Sequence, residues 1–479
     1  MCGILGQVNF KGSKICKDKF SDALNLMAHR GPDYSDCYFD NNIALGHRRL
    51  SIIDLDIHAK QPMRSKCGNY FIIFNGEIYN FQEIKKQLQE KGYSFATSSD
   101  TEVLLNSFIE YGETCIQKFI GMFVFAIYNR LSKEIYIFRD RLGIKPLYYL
   151  LSANEFVFSS EVKAILATSD LQKKLDIKAV SSYFSFRYPV LDNSFFEGIK
   201  SLPAGSFIKI KGNHFEIKKY WDFSSFYGHQ EKDFGEPFYI DNIKEILESS
   251  VKYRMVSDVP FGSFLSGGVD SSIVTALMAR NTSNPVKTFT IGFEEDGHNE
   301  FEFARLVANL YKTNHHEIVL KGQDYIDTLP RLIRLKDSPL SVPNEVPLYL
   351  MAKELKKYIT VVLSGEGADE IFGGYGRIFR SAFDFERMQN LEKLALSDTE
   401  RILFLENFKT KYGSMNFTSE LEHFLYLYNY TSYREKEELL EPDIDLRGIE
   451  TVFQEKFQGI FNEVKSESYA NKMMYLFEK

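Results

Sequence analysis

The sequence predicts two architectures in one chain, an α+β N-terminal half followed by an α/β half built on a parallel sheet. Three observations predict it. Up to about Gly205 the chain reads as short β-rich runs punctuated by Gly, Asn and Asp turns. Beyond Pro237 apolar strands alternate with helical segments, the pattern of a parallel sheet covered by helices. The length, 479 residues, exceeds one ordinary domain, and a typical ~150 residues per domain gives two to four cores.

In the first half, strands are expected at Tyr70–Phe74, Met122–Tyr128 and Glu134–Phe138. Leu104, Leu105, Phe108 and Ile109 share one face of a helix over Asp100–Glu110, with Ser98, Ser99 or Asp100 as its cap. The stretch Tyr220 to Pro237 lacks periodicity and carries polar, Gly and Pro breakers, so the expected organisation is a first domain over 1–215, a linker over 216–240 and a second domain over 241–479. In that second domain Phe261–Leu265, Val286–Phe293 and Ile359–Leu363 read as strands. From Ser381 onward there are only three Gly and one Pro, which predicts an almost wholly helical remainder.

Composition excludes several classes. Hydrophobic residues at 44% and charged residues at 26% are globular values, too apolar for a disordered chain. A net charge of −7 offers no basic excess for nucleic acid or an anionic membrane. Five Cys, an odd number without a C-x-x-C pair, argue against a disulfide framework and a zinc site and for a reducing compartment. The N-terminus has no basic n-region or long apolar h-region, and Met122–Tyr128 is far shorter than a bilayer span, so a soluble cytoplasmic protein is expected.

The second half holds two strand-end motifs. Phe261–Leu265 runs into S-G-G-V-D-S-S (Ser266–Ser272), after which Ile273, Val274, Leu277 and Met278 keep helical spacing. Strand, small-residue loop and helix start together make a cradle for a phosphate or pyrophosphate, because glycines admit close backbone approach and the helix start offers free N–H groups. No Walker motif is present. Alone, S-G-G also reads as a tight turn with Asp270 or Ser271 as a helix cap. Ile359–Leu363 then runs into S-G-E-G-A-D-E (Ser364–Glu370), so L-S-G recurs at a strand end, each time followed by acids. Ligands of open α/β sheets bind at that carboxyl edge, where Asp270 and Asp369 would hold Mg²⁺, with capping as the alternative. Glu366, flanked by glycines, suits a site role better than a helix interior. His315 and His316 have no third ligand at recognisable spacing and read as structural.

Cys2 follows the initiator Met, and removal of Met1 would leave a thiol and a free α-amine in one residue, a nucleophile with its own base, although position alone favours a nonfunctional thiol near the terminus. Further on come H-R-G-P-D (His29–Asp33), H-R-R-L-S-I-I-D (His47–Asp54), F-N-G-E-I-Y-N (Phe74–Asn80), S-S-D-T-E (Ser98–Glu102) and R-D-R-L-G-I-K-P-L-Y-Y (Arg139–Tyr149). With M-C-G-I-L-G, in this order, they resemble the class II glutamine amidotransferases, and with the two strand-end motifs the chain resembles the glutamine-hydrolysing asparagine synthetases from Met1 to about Arg377.

The resemblance implies an αββα sandwich followed by an ATP-pyrophosphatase-type domain. It implies that Cys2 forms a glutamyl thioester, with Asn75 and Gly76 donating to the oxyanion. Arg49 would pair with the glutamine α-carboxylate, and Glu77 and Asp100 with its α-ammonium; Arg48 is the neighbour most easily confused with Arg49. Ser266, Gly267, Gly268, Asp270 and Ser271 would hold the phosphates of ATP, and Ile291, Ser364 and Gly365 match positions that contact the nucleoside. Aspartate would be converted through β-aspartyl-AMP, with Glu366 assisting and Asp270 and Asp369 on Mg²⁺. Ammonia would then displace AMP, and a homodimer is common in this family. The chain departs from the family by ending at N-K-M-M-Y-L-F-E-K, without the later D-R-x-S-M-A and E-x-R-x-P-F-L-D blocks. That makes the chain a fragment of a longer protein, a glutaminase with an altered synthetase half, or a regulatory protein; separately, no short motif spells out aspartate, so amidation of another carboxylate is the alternative acceptor reading.

Overall fold

Alternation along one strand sets the layers of the N-terminal half. In Tyr70–Ile78, Phe71 and Ile73 point into a core shared with Ile4, Val8 and Leu45, while Ile72 and Phe74 point the other way, onto Phe81, Leu88, Leu104 and Phe108. Both faces of the strand are therefore buried, one against a second sheet and one against helices. The computed structural model describes residues 1–478 apart from 229–231, 295–298, 414–415, 443 and 466.

The elements of this half are β1 (Gly3–Asn9), α1 (Lys17–Asn25), β2 (Tyr34–Asp40), β3 (Ile43–Arg49), β4 (Met63–Arg64), β5 (Tyr70–Ile78), α2 (Phe81–Glu90), α3 (Asp100–Tyr111), β6 (Gly121–Asn129), β7 (Glu134–Arg139), β8 (Tyr148–Leu151), β9 (Glu155–Ser159), α4 (Val162–Thr168), α5 (Ile177–Phe186), β10 (Ile199–Ser201), β11 (Ser206–Lys211) and β12 (His214–Lys219). Two antiparallel sheets form, ordered β10-β8-β9-β1-β3-β2 and β12-β11-β7-β6-β5-β4. Phe20 and Leu24 of α1 with Val162 and Ile165 of α4 cover the outer face of the first sheet through Leu5, Ala44 and Val157. Helices α2 and α3 cover the second sheet, which completes an αββα sandwich. Ser99 caps α3, its hydroxyl accepting the Glu102 N–H at 3.3 Å.

The expected boundary at 215 shifts. β12 pairs with β11 through Lys219, so the second sheet continues past it. The next helix, α6 (Glu236–Arg254), begins inside the segment expected to be linker, with Pro237 in its first turn, where a missing N–H costs nothing. Residues 229–231 of that segment lie outside the described residues.

The second half continues with β13 (Phe261–Phe264), α7 (Val269–Arg280), β14 (Lys287–Phe293), α8 (Phe301–Tyr311), β15 (Asn314–Leu320), α9 (Gly322–Lys336), α10 (Glu345–Leu355) and β16 (Val361–Leu363). The four strands are parallel in the order β15-β14-β13-β16. Leu277 and Met278 of α7 with Val251 of α6 cover one face, and Met351 and Leu355 of α10 cover the other over Phe289. Since β14 and β16 flank β13 on opposite sides, the strand order reverses between β13 and β16.

Contact topology divides the chain into two compact units. The first comprises Met1–Asp176, Leu191–Asp222 and Gly235–Ser364; the second comprises Ile177–Val190, Phe223–Phe234 and Gly365–Lys479. The second contains α11 (Ala368–Phe372), α12 (Gly376–Gln389), α13 (Asp398–Tyr412), α14 (Glu420–Tyr428), α15 (Tyr433–Leu439), α16 (Leu446–Glu463) and α17 (Tyr469–Glu478), the helical remainder expected from the sequence. It also takes in α5, which sequence order had assigned to the first domain. The reason is polar: Ser185 accepts from the fully buried Lys436, whose ammonium also meets Glu450 at 2.6 Å, and Ser181 donates to that same carboxylate at 3.1 Å. Among the described residues no helix is long and apolar enough to cross a membrane.

Candidate active site

Strand alternation separates Arg49 from Arg48. His47 and Arg49 share one face of β3 and Arg48 takes the other, where its guanidinium reaches Asn25 at 3.4 Å. Arg49 is 6% exposed and donates to the main-chain carbonyls of Ile53, Asp54 and Asp56, the last at 3.0 Å. Its planar fork is thereby locked in place with donors to spare. His47 is fully buried with its Nε2 2.9 Å from the Phe74 carbonyl; burial pulls its pKa down to about 4, so it is neutral near pH 7.

Arg49 lines a cavity of about 260 Å³ together with Cys2, Asn75, Gly76, Glu77 and Asp100. Six residues drawn from four separate motifs thus meet in one place, and Gln61, Met122, Lys145 and Thr360–Val362 complete much of the wall. Cys2 Sγ accepts the Leu50 N–H at 3.4 Å and lies 3.6 Å from the Leu50 carbonyl. Asn75 is 1% exposed, and among the described residues neither its Oδ1 nor its Nδ2 has a hydrogen-bond partner. An unpaired buried amide costs roughly 1–3 kcal/mol, so such a group marks a place where a ligand completes the hydrogen bonding. Gly76 has a structural reason to be glycine: a Cβ there would lie 2.3 Å from the Met122 carbonyl oxygen and 2.6 Å from the Phe123 Cα on β6.

The charges here are desolvated. Burial raises the Cys2 thiol pKa, opposed by the Leu50 N–H and by the terminal amine and Arg49. Asp100, at the first turn of α3, is pushed up to about 7 by burial although the Ile78 N–H donates to it at 3.1 Å. Burial also raises Glu77, opposed by Lys145, the terminal amine and Arg254. The Met1 amine is drawn down to about 6, first by burial.

The backbone around Cys2 is held by a residue of the H-R-G-P-D motif. Arg30 Nε donates to the Cys2 carbonyl at 2.9 Å while its Nη1 meets Glu161 at 3.1 Å. Burial alone would raise the Glu161 carboxyl, but hydrogen bonds from His29 and Lys163 and the charge of Arg30 hold it at about 2. In H-R-G-P-D, then, Arg30 braces the Cys2 main chain, and His29 shares its Glu161 partner. Gly31 lets that turn lie on β3, since a Cβ would sit 2.3 Å from the Arg48 carbonyl.

The loop after β13 is built differently. Ser266 and Ser271 hydroxyls lie 3.0 Å apart, and Gly268 N–H donates to Ser266 Oγ at 3.2 Å. Gly267 sits at φ +87°, and a Cβ there would come within 2.5 Å of Phe303. α7 starts at Val269, earlier than its apolar spacing suggests, with Gly268 as N-cap and no side-chain cap, so Asp270 and Ser271 lie in its first turn. Asp270 is exposed. Ile291 is on the adjacent β14, and Ser364 follows β16, the other neighbour of β13. Ser266–Ser271 and Ser364 therefore share one carboxyl edge at the point where strand order reverses. Gly365, Glu366 and Asp369 open the second unit, Asp369 in the first turn of α11. Among the described residues no three His, Cys, Asp or Glu group as a ready-made metal site. His315 Nδ1 lies 2.9 Å from Thr288 Oγ1, and His316 stacks on Phe289.

Comparison with known proteins agrees with both halves. A glutamine amidotransferase domain model matches residues 1–221, and an asparagine synthase model matches 242–479. A protein of Methanocaldococcus jannaschii described as putative glutamine-hydrolysing asparagine synthetase 2 is 35% identical over 403 residues, covering 78% of this chain and 76% of that one. This chain belongs to the glutamine-hydrolysing asparagine synthetase family. Asparagine synthetase 1 of Bacillus subtilis is 37% identical over 83% of this chain and 63% of its own length, and asparagine synthetase B of Escherichia coli 33% identical over 78% and 65%. The chain thus spans less than two thirds of those two relatives. Among solved structures, a glutamine phosphoribosylpyrophosphate amidotransferase from Bacillus subtilis superposes with a TM-score of 0.36 at 17% identity, over 59% of this chain and 65% of that one, too loosely to add to the fold described above.

Sequence reasoning missed three residues that this family member brings to the Cys2 cavity or braces behind it. Lys145 and Gln61 line it, and Arg30 holds the Cys2 carbonyl. Two of them carry a signal, since Arg30 lies in H-R-G-P-D and Lys145 in R-D-R-L-G-I-K-P, motifs whose residue types alone name no task for either.

Proposed function

We propose that this chain hydrolyses glutamine at Cys2 and delivers the ammonia to a carboxylate activated by ATP, aspartate being the acceptor. The observation that carries the first half is the Asn75 carboxamide, buried and unpaired in the cavity that also holds Cys2. With Met1 removed, the Cys2 α-amine takes the thiol proton and the sulfur attacks the glutamine side-chain amide carbon. Asn75 Nδ2 and the Gly76 N–H stabilise the oxyanion, ammonia departs, and water hydrolyses the thioester. Arg49 pairs with the substrate carboxylate, and Glu77 and Asp100 with its ammonium.

In the second half the Ser266–Ser271 loop and the first turn of α7 hold phosphate, and Ile291, Ser364 and Gly365 flank the nucleoside. The aspartate β-carboxylate attacks the α-phosphorus, expelling pyrophosphate, and ammonia then displaces AMP from β-aspartyl-AMP. A Mg²⁺ that neutralises the triphosphate fits Asp270, a hard oxygen donor on an exposed turn where the ion keeps its waters. Glu366 and Asp369 take their roles, in forming the intermediate and on Mg²⁺, from the sequence motif alone. The Cys2 cavity is also walled by Met122, Ile52, Ile53, Val361 and Val362. An apolar lining keeps ammonia unprotonated, and β16 leads from it to Ser364 at the nucleotide edge. The same reading gives a cytoplasmic protein, with all five cysteines free, and a homodimer.

The test is pyrophosphate release by the purified chain given Mg·ATP, aspartate and glutamine, with glutamate measured in the same tube, for wild type and Cys2→Ala. Pyrophosphate in step with glutamate in wild type, and ammonia-dependent but not glutamine-dependent amide formation in Cys2→Ala, is the expected result. Glutamate without pyrophosphate would overturn asparagine synthesis for this chain, and full glutaminase activity in Cys2→Ala would overturn the nucleophile.

A further inference from the structure

Lys145 is a buried cation without a task. It is 5% exposed and lines the Cys2 cavity, yet among the described residues its ammonium makes no hydrogen bond or ion pair. The fold invests heavily in placing it. Asp140, 1% exposed, accepts the main-chain N–H groups of Phe123, Leu142, Ile144 and Lys145 at 3.1, 3.1, 2.9 and 3.0 Å. Arg139 Nε donates to the Lys145 carbonyl at 3.0 Å. Both main-chain polar groups of Lys145 are therefore tied, and the side chain leaves a rigid turn for the cavity. A charge buried without a partner is costly, and one so firmly positioned has a task to perform on what enters the cavity.

We propose that Lys145 is a positioning residue for the nucleophile's base: its fixed positive charge keeps the α-nitrogen exposed on Cys2 by removal of Met1 in the neutral, proton-accepting form. The inference rests on the reading of Cys2 as nucleophile. The charged groups that line this cavity or contact Cys2 are Arg30 after α1, Arg49 on β3, Glu77 on β5, Asp100 on α3 and Lys145 after β7. Arg30 is already neutralised by Glu161 at 3.1 Å. Glu77 and Asp100 favour a protonated amine, but bound glutamine engages both through its own ammonium. The glutamine α-carboxylate likewise takes up Arg49; Lys145, whose nearest opposing charge is the Glu77 that the substrate ammonium occupies, remains, and a cation disfavours a second cation beside it. The depressed amine at the present N-terminus, to which Lys145 contributes after burial and Arg30, agrees with this direction.

The experiment compares the mature 479-residue chain, less Met1, with its Lys145→Met, Lys145→Gln and Lys145→Arg variants. Two pH profiles are taken: glutaminase kcat/KM, and the rate of Cys2 alkylation by iodoacetamide without glutamine. Losing the cation raises the pKa of the base and of the thiol, so both acid limbs move to higher pH, by about one unit in the Met and Gln variants. Rates fall about tenfold below the limb and converge with wild type above it, and Lys145→Arg restores the wild-type limb. A uniform fall at every pH, with both limbs unmoved, would overturn the inference and leave Lys145 a packing residue. If wild type shows no Cys2-dependent glutaminase, the reading of the function fails separately, and the alkylation profile still decides the effect of Lys145 on Cys2.

Discussion

The Cys2 cavity and the Ser266–Ser271 loop lie in the same compact unit and use opposite strategies. Around Cys2 the working groups are buried, burial raises the pKa values of Cys2, Glu77 and Asp100, and main-chain carbonyls lock Arg49; around Ser266 they are near the surface, and the loop's hydroxyls and the Gly268 N–H satisfy one another. Proton transfer from a thiol needs a dry, preorganised site, where each charge is felt strongly. On the proposed reading a triphosphate brings its own charge and counter-ion, so its loop needs only accessible N–H groups and glycines that let it approach.

Three substitutions would break or sharpen this contrast. The largest effect is expected from Asn75→Ala, which removes an oxyanion donor and should lower glutaminase kcat by about 10²–10³-fold. Because the lost amide is unpaired, the denaturation midpoint should not fall in proportion, and a collapse of stability in a urea titration would refute the assignment. Next is Asp100→Asn. The folded carboxyl titrates near 7, above its ordinary value of 3.8, so the unfolded chain binds fewer protons between those values and stability is lost as pH rises through that window. The variant should be the more stable protein at pH 8, with the difference vanishing near pH 3; a constant difference would deny the shift. KM for glutamine in wild type should fall as pH passes 7 and Asp100 ionises. The smallest effect on the fold is expected from Asp270→Asn. Exposed and outside any core, it should change stability by less than about 0.5 kcal/mol while slowing pyrophosphate release and leaving glutaminase intact. Loss of glutaminase in that variant would mean that the two regions are not separable as described.

The fold was largely legible because its signals are local. β-rich apolar runs at Tyr70–Phe74 and Met122–Tyr128, helical spacing after Asp100, and two L-S-G strand ends each follow from a few adjacent residues, and the strands and helices form there. What escaped were the elements whose partners are distant in the chain. Residue 215 looked like a boundary although His214–Lys219 pairs with Ser206–Lys211, and α5 belongs with Lys436 and Glu450, some 250 residues later. Within the site, Cys2, Arg49, Asn75, Gly76, Glu77 and Asp100 could be named from motifs, whereas Arg30 and Lys145 sat inside motifs with no visible task.

The sequence by itself determined which residue types are present to do chemistry: a cysteine at position 2, an N-G-E triplet, an acid at a helix start, and two glycine-bearing strand ends. Only the tertiary structure decided which of these meet and in what medium. Arg49 rather than Arg48 reaches the cavity because strand alternation turns one inward, and Asp100 titrates near 7 because the sandwich closes over it. Residue identity is a local property of the chain, but desolvation and proximity are collective, set by every layer packed around the group.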